Sequence, residues 1–301
     1  MRDNGRPFFS VSGFRVSEPS RFPHWHSPLA LLAALALLQM PLWLNPGYFA
    51  HDELQWAARA GVATVSGLPF VSFTDVASFQ YRPLTFNLWL LLSHTLFETP
   101  RLFHAVFVLA GSLNALLLAN VLRRAGCRAP MTFSAALVFG LSPFAVWVHG
   151  WVGCLADLLW VGFGLGIIAV LQRLDAHASA RTSSLIAACA VAALATTLAL
   201  LSKEAALSIP ALLALAAWLL HLPRTWVAAT LASGAVAIIY LVLRLDTLTT
   251  PGDAVTYTLH AAALPSRWLE YMVFPWALGV EEVHVLPANH AGAGAGLGLA
   301  G

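Results

Sequence analysis

The sequence predicts an all-α membrane protein of about seven to eight transmembrane helices, with a long first outer loop containing interfacial helices. Two observations predict it. Of the 301 residues, 59% are hydrophobic and only 10% charged, at a mean hydropathy of +0.74; a soluble domain carries about a quarter charged residues. The apolar residues also fall into runs close to the roughly 17–25 helical residues that cross a hydrocarbon core, with charge confined to the turns between them. The net charge of +2 decides little, because in a membrane protein the distribution of charge matters more than its sum. Cys127, Cys154 and Cys189 are scattered and fit no metal, redox or disulfide pattern.

Residues 1–27 carry Arg2, Arg6, Arg15 and Arg21 against Asp3 and Glu18, the arginine excess of a cytoplasmic tail. The tail is long for a signal-peptide n-region, so the run Leu29–Leu44 reads as a retained anchor and a short first span. Pro46 and Gly47 then stop the helix, proline for want of an amide donor and glycine for its backbone entropy. They open the outer loop, residues 45–101. Within it Pro83–Phe97 is apolar but short and flanked by charge, which predicts a helix lying in the interface.

Six further spans are expected, at about 102–122, 131–148, 151–171, 184–201, 205–221 and 225–243, with a partial run at Trp268–Val280 completing a module over 28–280. The interfacial reading of 83–97 puts Arg123, Arg124, Arg128, Arg173, Arg181 and Arg224 on the inner side. Asp52, Glu53, Asp75, Glu98, Glu204, Asp246 and Asp253 then collect outside. A span at 83–97 would send the Arg123–Arg128 cluster outward, against the positive-inside rule. Residues 281–301 form a Gly/Ala-rich tail, too poor in buriable surface to offset its ordering entropy, and are expected to be disordered.

The chemistry-bearing residues gather at the outer ends. Asp52 and Glu53 stand just beyond the first apolar run, where partial desolvation raises a carboxylate's pKa and suits it to accept a proton; a solvated acidic loop is the plain alternative. His149 and Asp157 flank another outer turn, and a carboxylate at that depth lines a cavity, meets a partner, or is held by helix-start amides. Ser202-Lys203-Glu204 makes the next outer turn, and Tyr81-Arg82-Pro83-Leu84 offers a second cation. Lysine meets phosphate as a point charge and guanidinium as a bidentate fork, whereas an exposed Lys–Glu pair contributes little. His51, Asp52, Glu53 and Asp157, with His149 nearby in the pattern, are candidate ligands for Mg, Mn or Zn. Asn114 is expected to hydrogen-bond between helices. The 11 tryptophans read as interface belts.

Taken together, these pieces resemble the GT-C class of polytopic glycosyltransferases. The acidic pair Asp52-Glu53 looks like the Asp-Glu pair of the protein O-mannosyltransferases. The nearest likeness is to the tetratricopeptide-associated O-mannosyltransferase type and its bacterial relatives. It is carried by Tyr81–Leu84, Phe103-His104 with Leu113–Leu117, Ser142-Pro143 with Trp151 and Cys154–Leu158, and Leu200–Glu204. Two features depart from that pattern: Leu155-Ala156 replaces a basic pair, and Ala-His-Asp-Glu replaces Tyr-Asp-Asp.

The resemblance implies an inverting transferase at the outer, periplasmic or luminal, face, with the N-terminus cytoplasmic, as in a bacterial inner membrane. It would move a mannose-like sugar from a polyprenyl phosphate to a hydroxyl on protein or lipid. Asp52 would be the base, Glu53 its orienting partner, Arg82 and Lys203 the donor-phosphate ligands, and Asp157, Glu204 and His149 supporting groups. Membrane lipids are expected partners and nucleic acid is not. Two rival readings stand beside it: a catalytically inactive or split remnant acting as an assembly subunit, which the short length favours, and a transporter of lipid-linked substrates, against which the clustering of ionisable groups at one face counts.

Overall fold

The computed structural model describes residues 27–48, 58, 70–78, 80–176 and 182–249. Among them all regular structure is helical. The helices are α1 (Pro28–Leu38), α2 (Met40–Trp43), α3 (Pro83–Leu96), α4 (Pro100–Arg124), α5 (Ala129–Leu141), α6 (Pro143–Gly150), α7 (Leu155–Ala176), α8 (Thr182–Leu200), α9 (Ser208–Leu219) and α10 (Arg224–Thr249). Short 3-10 turns at Val152–Cys154 and Glu204–Leu207 precede α7 and α9. The tail before Ser27, the run at 268–280 and the Gly/Ala tail lie outside the described residues.

Proline sets most of the starts. Pro28, Pro83, Pro100 and Pro143 each open a helix, where the missing amide has no partner to lose and φ is already helical. Ser27 and Ser142 cap two of these, their hydroxyls accepting from the amides of Ala30 (3.1 Å) and Ala145 (3.2 Å). At the far end of α4 the chain reverses through Gly126 at φ +88°, a left-handed turn that favours glycine.

The same residue breaks two of the expected spans. Leu29–Leu44 is not one helix: it divides at Gln39, because the ring of Pro41 would press on the carbonyl one turn back. The run at 131–148 divides at Ser142–Pro143 into α5 and α6, inclined by 54°. The run at 205–221 becomes a 3-10 turn and the short α9. Four described helices, α4, α7, α8 and α10, are therefore long and apolar enough to cross a membrane. There are five if the bent pair counts as one. The α3 helix is 14 residues long, below the length that spans.

Helices that face hydrocarbon gain nothing from hiding apolar surface against each other, so close packing and hydrogen bonds must hold them. On α8, Ala188, Ala192, Thr196 and Ala199 recur on one face and are fully buried, as are Ala229 and Ser233 of α10. These small residues let the two backbones approach, and Thr196 and Ser233 join their hydroxyls at 2.7 Å. Between α4 and α7, Asn114 Nδ2 donates to the Leu158 carbonyl at 2.9 Å, the interhelical role expected of it. Gly162 makes room: a Cβ there would stand 2.8 Å from Asn114 Oδ1. Leu29, Val138, Trp218 and Leu231 point outward and are roughly two-thirds or more exposed.

The alternation of directions gives the bundle two poles. One carries the ends of α1, α4, α7 and α10 near Arg123, Arg124, Arg128, Arg173 and Arg224. The other carries Arg82, Asp157 and the Ser202–Glu204 turn. Near the second pole His149 is 2% exposed, its Nδ1 lying 2.5 Å from Gln39 Oε1. Its ring fills the space above Gly111, where a Cβ would meet Nε2 at 1.9 Å. Gly111→Ala should therefore destabilise the bundle by about 1–3 kcal/mol, the usual cost of overpacking. Gly166→Ala, with nothing within 4 Å of its Cβ, should gain about 0.4–1 kcal/mol. Thermal unfolding in detergent measures both, and equal midpoints for the two variants would contradict this packing.

Candidate functional site

The site is assembled from three stretches far apart in sequence. The first is the segment entering α3. The Leu84 amide donates to the Leu201 carbonyl at 3.1 Å and Thr85 Oγ1 to the Ser202 carbonyl at 2.9 Å, fixing this segment against the end of α8. Held there, Arg82 Nε reaches Glu204 Oε2 at 2.8 Å. The second stretch is the Ser202–Glu204 turn itself, where Lys203 lies extended at φ −160°, ψ 141°. The third is the first turn of α7. Lys203 Nζ donates to both oxygens of Asp157, at 2.6 and 2.7 Å, and Trp160 Nε1 adds a 3.2 Å bond to Oδ1. All four charged side chains are about one-quarter exposed, half-desolvated groups that water screens only in part.

A second layer hangs the segment at residues 76–78 on α10. Arg244 is 1% exposed, and its guanidinium donates to the carbonyls of Val76 (2.7 Å) and Ser78 while lying 5.6 Å from the Tyr81 ring centroid. Tyr81 donates to the Phe73 carbonyl at 2.5 Å, and burial pushes its phenol above the ordinary value, so it remains a donor at neutral pH. A cavity of about 210 Å³ adjoins this layer, with Leu200, Leu201, Ile239 and Leu243 as apolar wall and Tyr81 and Arg244 at its polar end.

The stretch leading to the acidic pair is tied to the start of α4. His104 Nε2 lies 2.8 Å from the Gly47 carbonyl. Tyr48 donates to the Phe97 carbonyl at 2.6 Å and stacks on its ring at 4.6 Å. His51, Asp52 and Glu53 follow and lie outside the described residues.

Of the expected site residues, then, Arg82, Asp157, Lys203 and Glu204 come together as two cation–carboxylate pairs. His149 is buried between Gln39 and Gly111, away from these two pairs' hydrogen bonds. No group of three His, Cys, Asp or Glu is arranged for a metal among the described residues. Asp157, the described member of the candidate ligand set, is engaged by Lys203 and Trp160.

Two residues were absent from the sequence-based expectations. Arg244 follows directly on a span expected to end at 243, although its setting Leu-Val-Leu-Arg-Leu is the mark of a charge inside an apolar helix. Asp175 sits at the arginine pole, where it accepts from Thr225 Oγ1 and Trp226 Nε1, each at 2.5 Å, joining α7 to α10. No family model, characterised protein or solved structure matches the chain.

The double bond from Lys203 to Asp157 should couple the two residues energetically. In a cycle of Lys203→Met, Asp157→Asn and the double variant, the coupling should reach about 1–2 kcal/mol, above the exposed-pair range of about 0.2–1 kcal/mol. Unfolding in detergent gives the three values. Additivity to within about 0.3 kcal/mol would reduce the pair to a screened surface contact.

Proposed function

We propose that the chain is a glycosyltransferase of the GT-C type, transferring a mannose-like sugar from a polyprenyl phosphate to a hydroxyl on protein or lipid at the pole that carries Lys203. The observation that carries this reading is the pairing of two cations with two carboxylates at one end of the bundle. Lysine has three N–H donors, and Asp157 occupies two of them. Arg82 meets Glu204 through Nε, and the terminal nitrogens of its guanidinium make no hydrogen bond among the described residues. Each cation is thus oriented by an acid while keeping donors for an anion. Donors fixed in advance where charge develops are the chief electrostatic means of lowering a barrier.

In this mechanism Asp52 accepts the acceptor hydroxyl's proton as the oxygen attacks the anomeric carbon. The bond from that carbon to the phosphate oxygen breaks, inverting the centre. The leaving group is already a phosphate and needs no general acid. Lys203 and Arg82 stabilise the negative charge it gathers, Asp157 and Glu204 position those cations, and Glu53 orients Asp52. The apolar cavity beside Tyr81 has the walls for the start of an isoprenoid chain. The arginine-rich pole faces the cytoplasm by the positive-inside rule.

The purified protein, given lipid-linked sugars, should release polyprenyl phosphate. Asp52→Asn keeps the shape but removes basicity, and should lower turnover by about 10²–10⁴-fold with donor affinity nearly unchanged. Normal turnover in that variant would remove Asp52 from the chemistry.

Lys203→Gln should weaken donor binding by about 10- to 150-fold, the range of a charge-assisted hydrogen bond, and leave acceptor binding alone. Unchanged donor affinity would confine Lys203 to its bond with Asp157. A second reading, a non-catalytic assembly subunit, is favoured by both cations already being satisfied by acids. It expects no release of polyprenyl phosphate by the wild-type chain from any lipid-linked sugar.

A further inference from the structure

At the opposite pole, a cavity of about 490 Å³ opens between α1, α4 and α5, within the roughly 300–1,000 Å³ of small-ligand sites. Its walls are apolar in depth, with Leu31, Leu116 and Phe133, and polar at the mouth, with Asn120 and Arg123. Thr132 lines it too. That side chain is 3% exposed, and its hydroxyl has no hydrogen-bond partner among the described residues, although a buried hydroxyl ordinarily finds one.

Three exposed arginines, Arg123, Arg124 and Arg128, crowd this end. Arg124 Nε donates to Asn120 Oδ1 at 3.2 Å, which turns the amide group of Asn120 into a further available donor. Asp175 of α7, at the same pole, is taken up by Thr225 and Trp226.

We propose that this cavity binds an anionic phospholipid, its phosphate at Arg123 and Asn120 and one acyl chain along Leu31, Leu116 and Phe133. Charge complementarity selects this occupant. Basic pockets between membrane helices take anionic headgroups, and each arginine near the surface contributes to the attraction. The sequence of residues 1–26, with Arg2, Arg6, Arg15 and Arg21 against Asp3 and Glu18, has the same sign of charge as the mouth and is not complementary to it. A free phosphate would leave the apolar walls uncovered. The site is independent of the transferase chemistry at the other pole.

Native mass spectrometry of the full chain, titrated with phosphatidylglycerol and phosphatidylcholine of equal chain length, tests this. Phosphatidylglycerol should bind more tightly at one site. Arg123→Gln should weaken it about five-fold, the share of one arginine, while Arg173→Gln, at the same pole but off the cavity, should not. Ala119→Trp, which fills the cavity without altering charge, should abolish that binding. Equal affinity for the two lipids would overturn the proposal, as would equal effects of Arg123→Gln and Arg173→Gln or undiminished binding to Ala119→Trp. Displacement of the lipid by millimolar inorganic phosphate would also overturn it, in favour of a simple anion site.

Discussion

A polar group carried into the apolar bundle has to look to the protein for its partner, because hydrocarbon offers none. This constraint orders the rest of the molecule. Most charges are driven to the two poles, and several polar groups between the helices are held by specific partners: Arg244 by loop carbonyls, Asp175 by a threonine and an indole, Asn114 by a carbonyl across the α4–α7 contact. A buried ion stripped of its partner is costly, by several kcal/mol on insertion scales, so each engagement also fixes a neighbour. Arg244 fixes the segment at residues 76–78, Asp175 locks α7 to α10, and Asn114 ties α4 to α7.

The same logic explains why the candidate site stands where it does. The pole at Lys203 is the place where three chain segments end in polar turns, and their backbone groups are satisfied by one another. Leu84 and Thr85 bond to the carbonyls of Leu201 and Ser202. Once those bonds form, Arg82 and Lys203 have few directions to point, and the carboxylates of Glu204 and Asp157 take them. The charged cluster is therefore held by the backbone joints beneath it more than by its own Coulomb energy, which partial exposure keeps modest.

Much of this was legible in the sequence, and the remainder was hidden for identifiable reasons. The long helices show in their apolar runs, and the starts of α1, α4 and α6 in Ser-Pro and Thr-Pro pairs. Asn114 shows as the one amide centred in such a run. The interior breaks at Gln39 and Ser142 escape an average over hydropathy, which counts composition and is blind to one proline ring meeting one carbonyl. Yet the Ser142-Pro143 pair that divides α5 from α6 is the same dipeptide that opens α1 at Ser27-Pro28, so the signal is present when read as a cap. Arg82, Lys203, Asp157 and Glu204 could be named as a set because all sit at turns of one side. Their pairing could not be read, since it depends on how α7 and α8 are rotated. The packing of His149 against Gly111 could not be read either, since it depends on how α6 lies on α4.

Most of the long-range ties run from a side chain to a backbone carbonyl: Arg244 to residues 76 and 78, Thr85 to 202, Asn114 to 158, Tyr48 to 97, Gln172 to 121. A carbonyl is the same whatever side chain accompanies it. Such a contact therefore ties the hands of evolution at one end only. The donor position must be kept, while the accepting position drifts freely so long as its backbone stays in place. Descendants of this chain can rewrite Ser78 or Val121 and lose no bond, but a change at Arg244 or Asn114 loses the joint, so lineages should diverge in their loops while keeping a sparse set of fixed donors.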